Sequence, residues 1–159
     1  MRPCRLVFVG FMKRPIHPLH HVLVLLQLGF LVALVCSHTW LARAWPWSVL
    51  EGLGVLLGLW ALIAMRWRQL RIHPEVSAHA ELRTTGPYRW IRHPMYASLL
   101  LVSTSLALDA LSFWTTVFWL CLVVVLVIKL RREEALLRLA FPDYAAYARR
   151  TARLVPGVW

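Results

Sequence analysis

The chain has 159 residues, enough for one domain, and 60% of them are apolar, whereas a soluble domain is about 45–50% apolar. The net charge is +11. Such a charge can indicate nucleic-acid binding, but the basic residues here flank long apolar runs, as they do beside anionic lipid headgroups. The composition therefore indicates an integral membrane protein and argues against a nucleic-acid partner.

Cysteine and histidine usage gives no sign of redox or metal chemistry. Cys4, Cys36 and Cys121 are far apart in the sequence, and no Cys or His cluster has the spacing of a zinc site. The histidines around the first apolar segment are interpreted as interfacial. We therefore predict no disulfide, no thiol nucleophile and no metal site.

Four apolar segments predict the membrane helices. They cover residues 20–40, 47–65, 94–108 and 112–128. A helix that crosses a bilayer needs roughly 20 residues, so the last two segments are short. A tight turn around Asp109 joins them, which predicts a helical hairpin that crosses the membrane fully or enters it part-way against the other helices.

The basic residues orient these helices. All but one of the 18 Lys and Arg residues precede the first segment, lie between the second and third, or follow the fourth. Four spans place these three groups on one side and leave Arg43 on the other. The positive-inside rule assigns the basic side to the cytoplasm, so we expect both termini there. We expect the membrane to be a bacterial inner membrane. Glu51, near the start of the second segment, is expected at headgroup level.

The chain after residue 128 is predicted to continue as a cytoplasmic helix, because charged residues alternate there with leucines. Pro142 should end that helix, and Asp143 can begin another turn. Tyr144 and Tyr147 are three residues apart and would share a helix face. The predicted fold is therefore all-α: an integral membrane bundle of about four transmembrane helices, the last two a short hairpin, with a cytoplasmic helical tail.

Residues 86–96 depart from the pattern of an ordinary membrane helix. The Gly-Pro pair at their start predicts a turn, and Pro94 suits the first position of a helix. His93 would then cap that helix, with Tyr96 on the same early face. A helix N-terminus surrounded by imidazole, phenol and guanidinium groups attracts carboxylates and phosphates. The alternative is an interfacial anchor for the third segment.

A second polar stretch, residues 129–137, follows the fourth segment. Glu133 and Glu134 stand there next to Arg131 and Arg132. Paired carboxylates can bind a cationic ligand or accept a proton, whereas the alternative is a solvated, ion-paired helix start of little energetic weight. The hairpin returns both polar stretches to one cytoplasmic level, and neither alternative predicts a His/Tyr/Arg cluster beside a glutamate pair.

These stretches resemble the motifs of a known enzyme group. Residues 86–96 resemble the G-x-Y-x-x-x-R-H-P-x-Y signature of isoprenylcysteine carboxyl methyltransferases and phospholipid methyltransferases. Residues 133–137 resemble their E-E-x-x-L motif, and residues 141–147, followed by residues 153–156, resemble their F-G-x-x-Y-x-x-Y…P ending. Three motifs in the same order make a specific match.

The resemblance covers about residues 70–159, which form the motif-bearing core of a single membrane domain over residues 1–159. Residues 1–69 resemble the family only in being two apolar spans. Ser98 stands where the family commonly has glycine, and is expected to crowd a close helix contact. Pro142 replaces the usual glycine of the tail motif. The short N-terminal half argues against a prenylcysteine substrate.

The resemblance implies an S-adenosylmethionine site between the hairpin ends and the tail helix. The G-x-G-x-x-G turn of a nucleotide-binding sheet is absent from the sequence. The resemblance places seven residues at the cofactor: Gly86, Tyr88, His93, Pro94, Tyr96, Glu134 and Leu137. It also supports a catalytic set of Arg92, Glu133 and Arg131. The sulfonium and ammonium of the cofactor suit a carboxylate, and its own carboxylate suits a helix N-terminus.

The predicted function is S-adenosylmethionine-dependent methyl transfer to a small apolar or lipid-like acceptor at the cytoplasmic face of the membrane, in an unspecified oligomeric state. Two alternatives stay open on the sequence. Sterol reductases carry a similar R-H-P-x-Y and a tyrosine-rich tail, so a membrane reductase that uses NADPH is one alternative. Glu133 and Glu134 argue against it, because they would repel that cofactor's phosphates. A non-enzymatic membrane partner protein that kept the scaffold is the other.

Overall fold

The computed structural model describes residues 18–37, 41–65 and 82–157. The basic stretch before residue 18 and most of the predicted loop between the second and third segments lie outside these ranges. The helices within them are α1 (Pro18–Cys36), α2 (Trp45–Met65), α3 (Pro94–Ala110), α4 (Phe113–Ala140) and α5 (Tyr144–Arg150), with a short 3-10 helix at Gly86–Arg89. The prediction of an all-α membrane bundle is confirmed.

Three helices, α1, α2 and α4, are long and apolar enough to cross a membrane. Helix α3 has 17 residues, so at 1.5 Å per residue it is about 25 Å long, shorter than the roughly 30 Å hydrocarbon core. The predicted helical continuation of the fourth segment beyond residue 128 is present, because α4 is one uninterrupted helix of 28 residues that ends before Pro142. It carries the apolar run and the glutamate pair on the same rigid element.

The hairpin turn is closed by a capping box at the start of α4. The Ser112 side chain accepts a hydrogen bond from the Thr115 N–H, and the Thr115 side chain accepts one from the Ser112 N–H. Asp109, predicted simply to form the turn, lies in the last turn of α3. Its carboxylate accepts hydrogen bonds from the N–H groups of Arg43 at 2.8 Å and Ala44 at 3.0 Å. The hairpin is therefore tied to the loop before α2.

Glu51 organises the same end of the molecule. Its carboxylate is buried in the second turn of α2 and accepts a hydrogen bond from the Ala42 N–H at 3.0 Å. The Ser48 hydroxyl donates to the Ala42 carbonyl at 2.8 Å. The sequence prediction placed Glu51 at headgroup level, and the structure gives its carboxylate a role in folding the loop.

Helix α2 packs closely against α3, and α1 packs against α4. A Cβ atom at Gly58 would lie 2.5 Å from the Ser98 Oγ, which donates a hydrogen bond to the Gly54 carbonyl at 2.7 Å. The close helix contact expected at Ser98 is thus present. The glycines of α2 provide the space that a serine on α3 needs.

The core between α1 and α4 is small and apolar, and its centre is formed by Leu34, Leu122 and Leu126. Many other large apolar side chains of α1, α2 and α4 are exposed, among them Leu25 and Ile63. Extensive exposed apolar surface marks contact with another apolar phase. On helices of this length, that phase is lipid.

Candidate functional site

The short 3-10 helix holds the first motif against α2. Gly86 has a φ of +63°, which glycine adopts at little cost. A Cβ atom there would lie 2.9 Å from the Ala64 Cβ, so the backbone conformation and the contact with α2 both favour glycine. Tyr88 is buried, and its carbonyl accepts a hydrogen bond from the Tyr147 hydroxyl at 2.7 Å. The turn therefore connects α2 to the tail.

His93 and Pro94 begin α3 as predicted, with His93 at the cap position and Pro94 in the first turn. Both residues are buried. The His93 ring stacks on the Tyr96 ring, with centroids 5.6 Å apart and planes inclined by 10°. The His93 side chain does not cap the helix, so its ring nitrogens are directed to other groups.

The glutamate pair on α4 meets this cluster, as the hairpin predicts. His93 Nδ1 lies 3.7 Å from Glu133 Oε2, and His93 Nε2 lies 3.8 Å from Glu134 Oε1. Both distances are longer than a hydrogen bond. The Glu133 carboxylate also interacts electrostatically with Tyr96. The Glu133 side chain is 42% exposed, whereas that of Glu134 is 4% exposed, so only Glu133 offers substantial accessible surface.

Arg92 is enclosed, and its Nε and Nη1 atoms both donate hydrogen bonds to the protein. Its side chain is 8% exposed, and its Nε donates to Glu134 Oε1 at 2.8 Å. Its Nη1 donates to the carbonyls of Ala148, at 2.6 Å, and Thr151. These contacts join the first motif, the glutamate pair and the tail through one guanidinium group. Arg92 therefore acts as a structural connection within the site.

Two further arginines surround Glu134. Arg153 Nε donates to Glu134 Oε2 at 3.2 Å, and Arg138 Nη2 lies 3.7 Å from the same oxygen. A buried carboxylate requires such partners, because an uncompensated charge in the interior is strongly destabilising. With Arg92 on the other oxygen, Glu134 is the centre of an ion-pair network.

The tail folds back over the start of α3. Residues Ile91 and Ala152 form an isolated parallel β-bridge. The N–H groups of Arg92 and His93 donate to the carbonyls of Ala152, at 2.8 Å, and Arg153, at 3.1 Å. Main-chain pairing therefore satisfies donors that precede a helix and would otherwise be orphaned.

Tyr147 and Leu154 strengthen the docking of the tail. Leu154 is buried against Ala97 and Leu130. Burial raises the pKa of Tyr147 to about 12, although Arg92 acts in the opposite direction. The Tyr147 hydroxyl therefore remains protonated and keeps its hydrogen bond to the Tyr88 carbonyl at physiological pH.

Three buried polar atoms of this cluster have no hydrogen-bond partner in the part of the chain that the structure describes: the Tyr88 and Tyr144 hydroxyls and His93 Nε2. Burial raises the pKa of Tyr88 above its usual value, and Glu133 adds to the rise. Burial and Glu134 likewise raise the pKa of Tyr144. Both phenols are neutral donors at physiological pH. Unpaired buried donors are costly and uncommon, and a polar ligand would satisfy them.

Lys129 connects α1 to the cluster. Its Nζ donates a hydrogen bond to the Gln27 side-chain oxygen on α1. The same ammonium lies 5.5 Å from the centroid of the Tyr96 ring, within the range of a cation–π contact. It also interacts electrostatically with Glu133.

Two residues of the predicted site, Arg131 and Leu137, make none of the side-chain polar contacts described above. Arg131 is exposed, and none of the ion pairs among residues 18–37, 41–65 and 82–157 involves it. The structure therefore does not bring Arg131 into the cluster. Leu137 is half-buried one turn after Glu133, and its carbonyl accepts the Phe141 N–H at the end of α4.

Sequence reasoning missed Lys129, Arg153 and Tyr144 as members of the cluster. The spacing of Tyr144 and Tyr147 did indicate a shared face, and both are buried. No spacing rule relates Arg153 to Glu134, because their contact depends on the backbone reversal around Pro142. Lys129 was hidden among the basic residues that flank any membrane span.

Comparison with known proteins identifies similar sequences. The profile of the phospholipid methyltransferase family matches residues 32–143. The nickel-cobalt-cadmium resistance protein NccN of Alcaligenes xylosoxydans xylosoxydans is 32% identical over 132 residues, covering 79% of this chain and 59% of NccN. The cobalt-zinc-cadmium resistance protein CzcN of Cupriavidus metallidurans is 32% identical over 127 residues, covering 79% of this chain and 58% of CzcN.

The chain spans about three-fifths of the length of these curated relatives. No solved structure is significantly similar to it. Both relatives are named for metal resistance. Within the described ranges of this chain, no group of three or more His, Cys, Asp or Glu side chains is arranged to hold a metal ion.

Proposed function

Because the chain belongs to the phospholipid methyltransferase family, we propose that it transfers a methyl group from S-adenosylmethionine to a small apolar or lipid-like acceptor at the cytoplasmic face of the membrane. The main support for this proposal is that residues 86–96 contact Glu133 and Glu134 at one end of the α3–α4 hairpin. The alternative interpretations of the two polar stretches, an interfacial anchor and a solvated helix start, do not require the stretches to be in contact.

The residues of the cluster fit S-adenosylmethionine, which carries a sulfonium, an ammonium and a carboxylate. Glu133 provides an accessible negative charge for the cationic groups. The unpartnered Tyr88 and Tyr144 hydroxyls and His93 Nε2 provide polar contacts for the remaining atoms. When bound, the cofactor supplies an electrophilic methyl group.

The two glutamates take different roles in this proposal. Glu133 holds the ligand's positive charge and, where the acceptor must lose a proton, acts as the base. Glu134 and Arg92 keep the two motifs and the tail in register. The sequence prediction of a direct contact between Glu134 and the cofactor stays a prediction. Arg131, which the sequence placed in the catalytic set, lies outside the cluster, so we propose no catalytic role for it.

Methyl transfer is an in-line displacement, so its rate depends on alignment of the reacting atoms and on exclusion of water. His93, Glu134 and Tyr144 are all buried, which supports a site with little access for water. The apolar surfaces of α1, α2 and α4 face lipid, so an apolar acceptor can approach from the bilayer.

The charge distribution supports a cytoplasmic site. Arg131, Arg132, Arg149 and Arg150 are exposed at the end that carries the motifs. Arg43 is exposed at the opposite end, in the loop before α2. By the positive-inside rule, the motif end faces the cytoplasm. We propose a bacterial inner membrane, in keeping with the bacterial origin of the two relatives.

The test is calorimetric titration of the full chain in detergent with S-adenosylhomocysteine and, separately, with NADPH. We expect the first ligand to bind and the Glu133→Gln variant to bind it about 10- to 100-fold more weakly, since a charge-assisted hydrogen bond contributes about 1.5–3 kcal/mol. Arg132→Gln, a change at an exposed neighbour, serves as the control and should bind like the wild type.

The other results would redirect the proposal. Binding of NADPH without S-adenosylhomocysteine would favour a membrane reductase. Binding of neither ligand would favour a non-enzymatic membrane protein. Equal affinity of the wild type and Glu133→Gln for S-adenosylhomocysteine would remove Glu133 from the binding site while leaving the methyltransferase assignment in place.

A further inference from the structure

Helix α5 carries two buried tyrosines that differ in hydrogen bonding within the described ranges: one hydroxyl has a partner and the other has none. Tyr144 and Tyr147 are three residues apart, and their rings meet edge to face with centroids 5.9 Å apart. The Tyr147 hydroxyl donates to the Tyr88 carbonyl at 2.7 Å. The Tyr144 side chain is only 1% exposed, and its hydroxyl has no partner within the described ranges. One phenol is therefore satisfied by the fold, and the other is not.

The unpartnered Tyr144 hydroxyl belongs to the polar cluster, which is formed by Arg92, His93, Glu133 and Glu134 with their neighbours. Tyr144 interacts electrostatically with Glu134, Arg92 and Glu133. The two Glu134 oxygens already accept hydrogen bonds from Arg92 and Arg153. A buried donor next to such a network, without an acceptor of its own, is the arrangement that a ligand completes.

We propose that the Tyr144 hydroxyl is a ligand-contacting group, which donates a hydrogen bond to an oxygen or nitrogen atom of the S-adenosyl ligand. This inference rests on the proposed function and extends it, because it makes α5 one wall of the cofactor site. The hydroxyl is buried, so a ligand atom that accepts its hydrogen bond would be shielded from water as well. Tyr147 has the structural task of holding α5 against the turn.

The matched variants Tyr144→Phe and Tyr147→Phe separate these roles, because each removes one oxygen from the same short helix. The measurements are thermal unfolding of the full chain without ligand and calorimetric titration with S-adenosylhomocysteine. Tyr144→Phe should unfold at or above the wild-type temperature, since it removes an unsatisfied donor, and should bind S-adenosylhomocysteine about tenfold more weakly. Tyr147→Phe should unfold at a lower temperature and keep its affinity within about twofold.

Each outcome bears on the proposal. Equal affinity of the wild type and Tyr144→Phe would overturn it while leaving the proposed function intact. A drop in unfolding temperature for Tyr144→Phe as large as that for Tyr147→Phe would overturn it without reference to any ligand, because the hydroxyl would then have a structural partner. If the wild type does not bind S-adenosylhomocysteine at all, the proposed function fails, and the inference that rests on it is overturned too.

Discussion

Glu133 and Glu134 are neighbours in the chain, but their surroundings give them different properties. Glu134 is enclosed by Arg92, Arg153 and Arg138, whereas Glu133 keeps accessible surface beside His93. Their sequence spacing predicts that both approach the first motif, because adjacent helical positions are only about 100° apart. It does not predict which one is enclosed, since that depends on arginines supplied by the first motif and the tail.

Replacement of Arg92 by lysine tests the ion-pair network around Glu134. Lysine keeps the charge but cannot reproduce contacts made by separate nitrogens of a planar guanidinium group, to Glu134 and to the Ala148 carbonyl. We expect a loss of about 1–3 kcal/mol in the free energy of unfolding, measured by thermal or denaturant unfolding in detergent.

Arg138→Lys is the control, because Arg138 is 57% exposed and lies 3.7 Å from Glu134. A pair of that kind contributes about 0–1 kcal/mol, so this variant should unfold close to the wild type. Equal destabilisation by Arg92→Lys and Arg138→Lys would show that Arg92 does not connect the first motif, Glu134 and the tail.

At the scale of elements, the position of the site is set by two helix pairs. Helix α4 is continuous from the membrane to Glu134, so the apolar run positions the glutamates rigidly. Helix α3 is held at the same level by its close contact with α2, where Gly58 faces Ser98. The hairpin and the order of the motifs could be predicted from apolar run lengths and the Pro94 start. The pairing of α3 with α2 could not, because it depends on complementary surfaces rather than on periodicity.

The variants Gly58→Ala and Gly52→Ala test that contact. A Cβ atom at position 58 would lie 2.5 Å from the Ser98 Oγ, whereas one at position 52 meets nothing within 4 Å. We expect Gly58→Ala to lower the unfolding temperature. Gly52→Ala should leave that temperature unchanged or raise it, since alanine is favoured over glycine within a helix by about 1 kcal/mol.

The double variant Gly58→Ala, Ser98→Ala should recover part of the stability lost by Gly58→Ala, because it removes the clashing oxygen. The two changes would then be energetically coupled, as expected for residues in contact. If the effects of the two changes on the free energy of unfolding simply add, the helices do not pack as described.

At the scale of the whole molecule, the two ends are built differently. One end is closed by Asp109 and Glu51, which accept main-chain hydrogen bonds from the loop before α2. The other carries the polar cluster and the exposed arginines of α4 and α5. The sequence predicts this difference between the two ends well, because the placement of charges and the apolar runs are local features. Closure of the site by the tail is not predictable from local features, since it joins Glu134 to Arg153 across a chain reversal.

Photochemical crosslinking of tritiated S-adenosylmethionine to the full chain, followed by peptide mapping, tests whether the two motifs and the tail form one cofactor site. This measurement needs no knowledge of the acceptor. We expect the label in peptides containing residues 86–96 or residues 133–147, and we expect excess S-adenosylhomocysteine to prevent the labelling. Label confined to other parts of the chain, or labelling that S-adenosylhomocysteine does not reduce, would contradict this expectation.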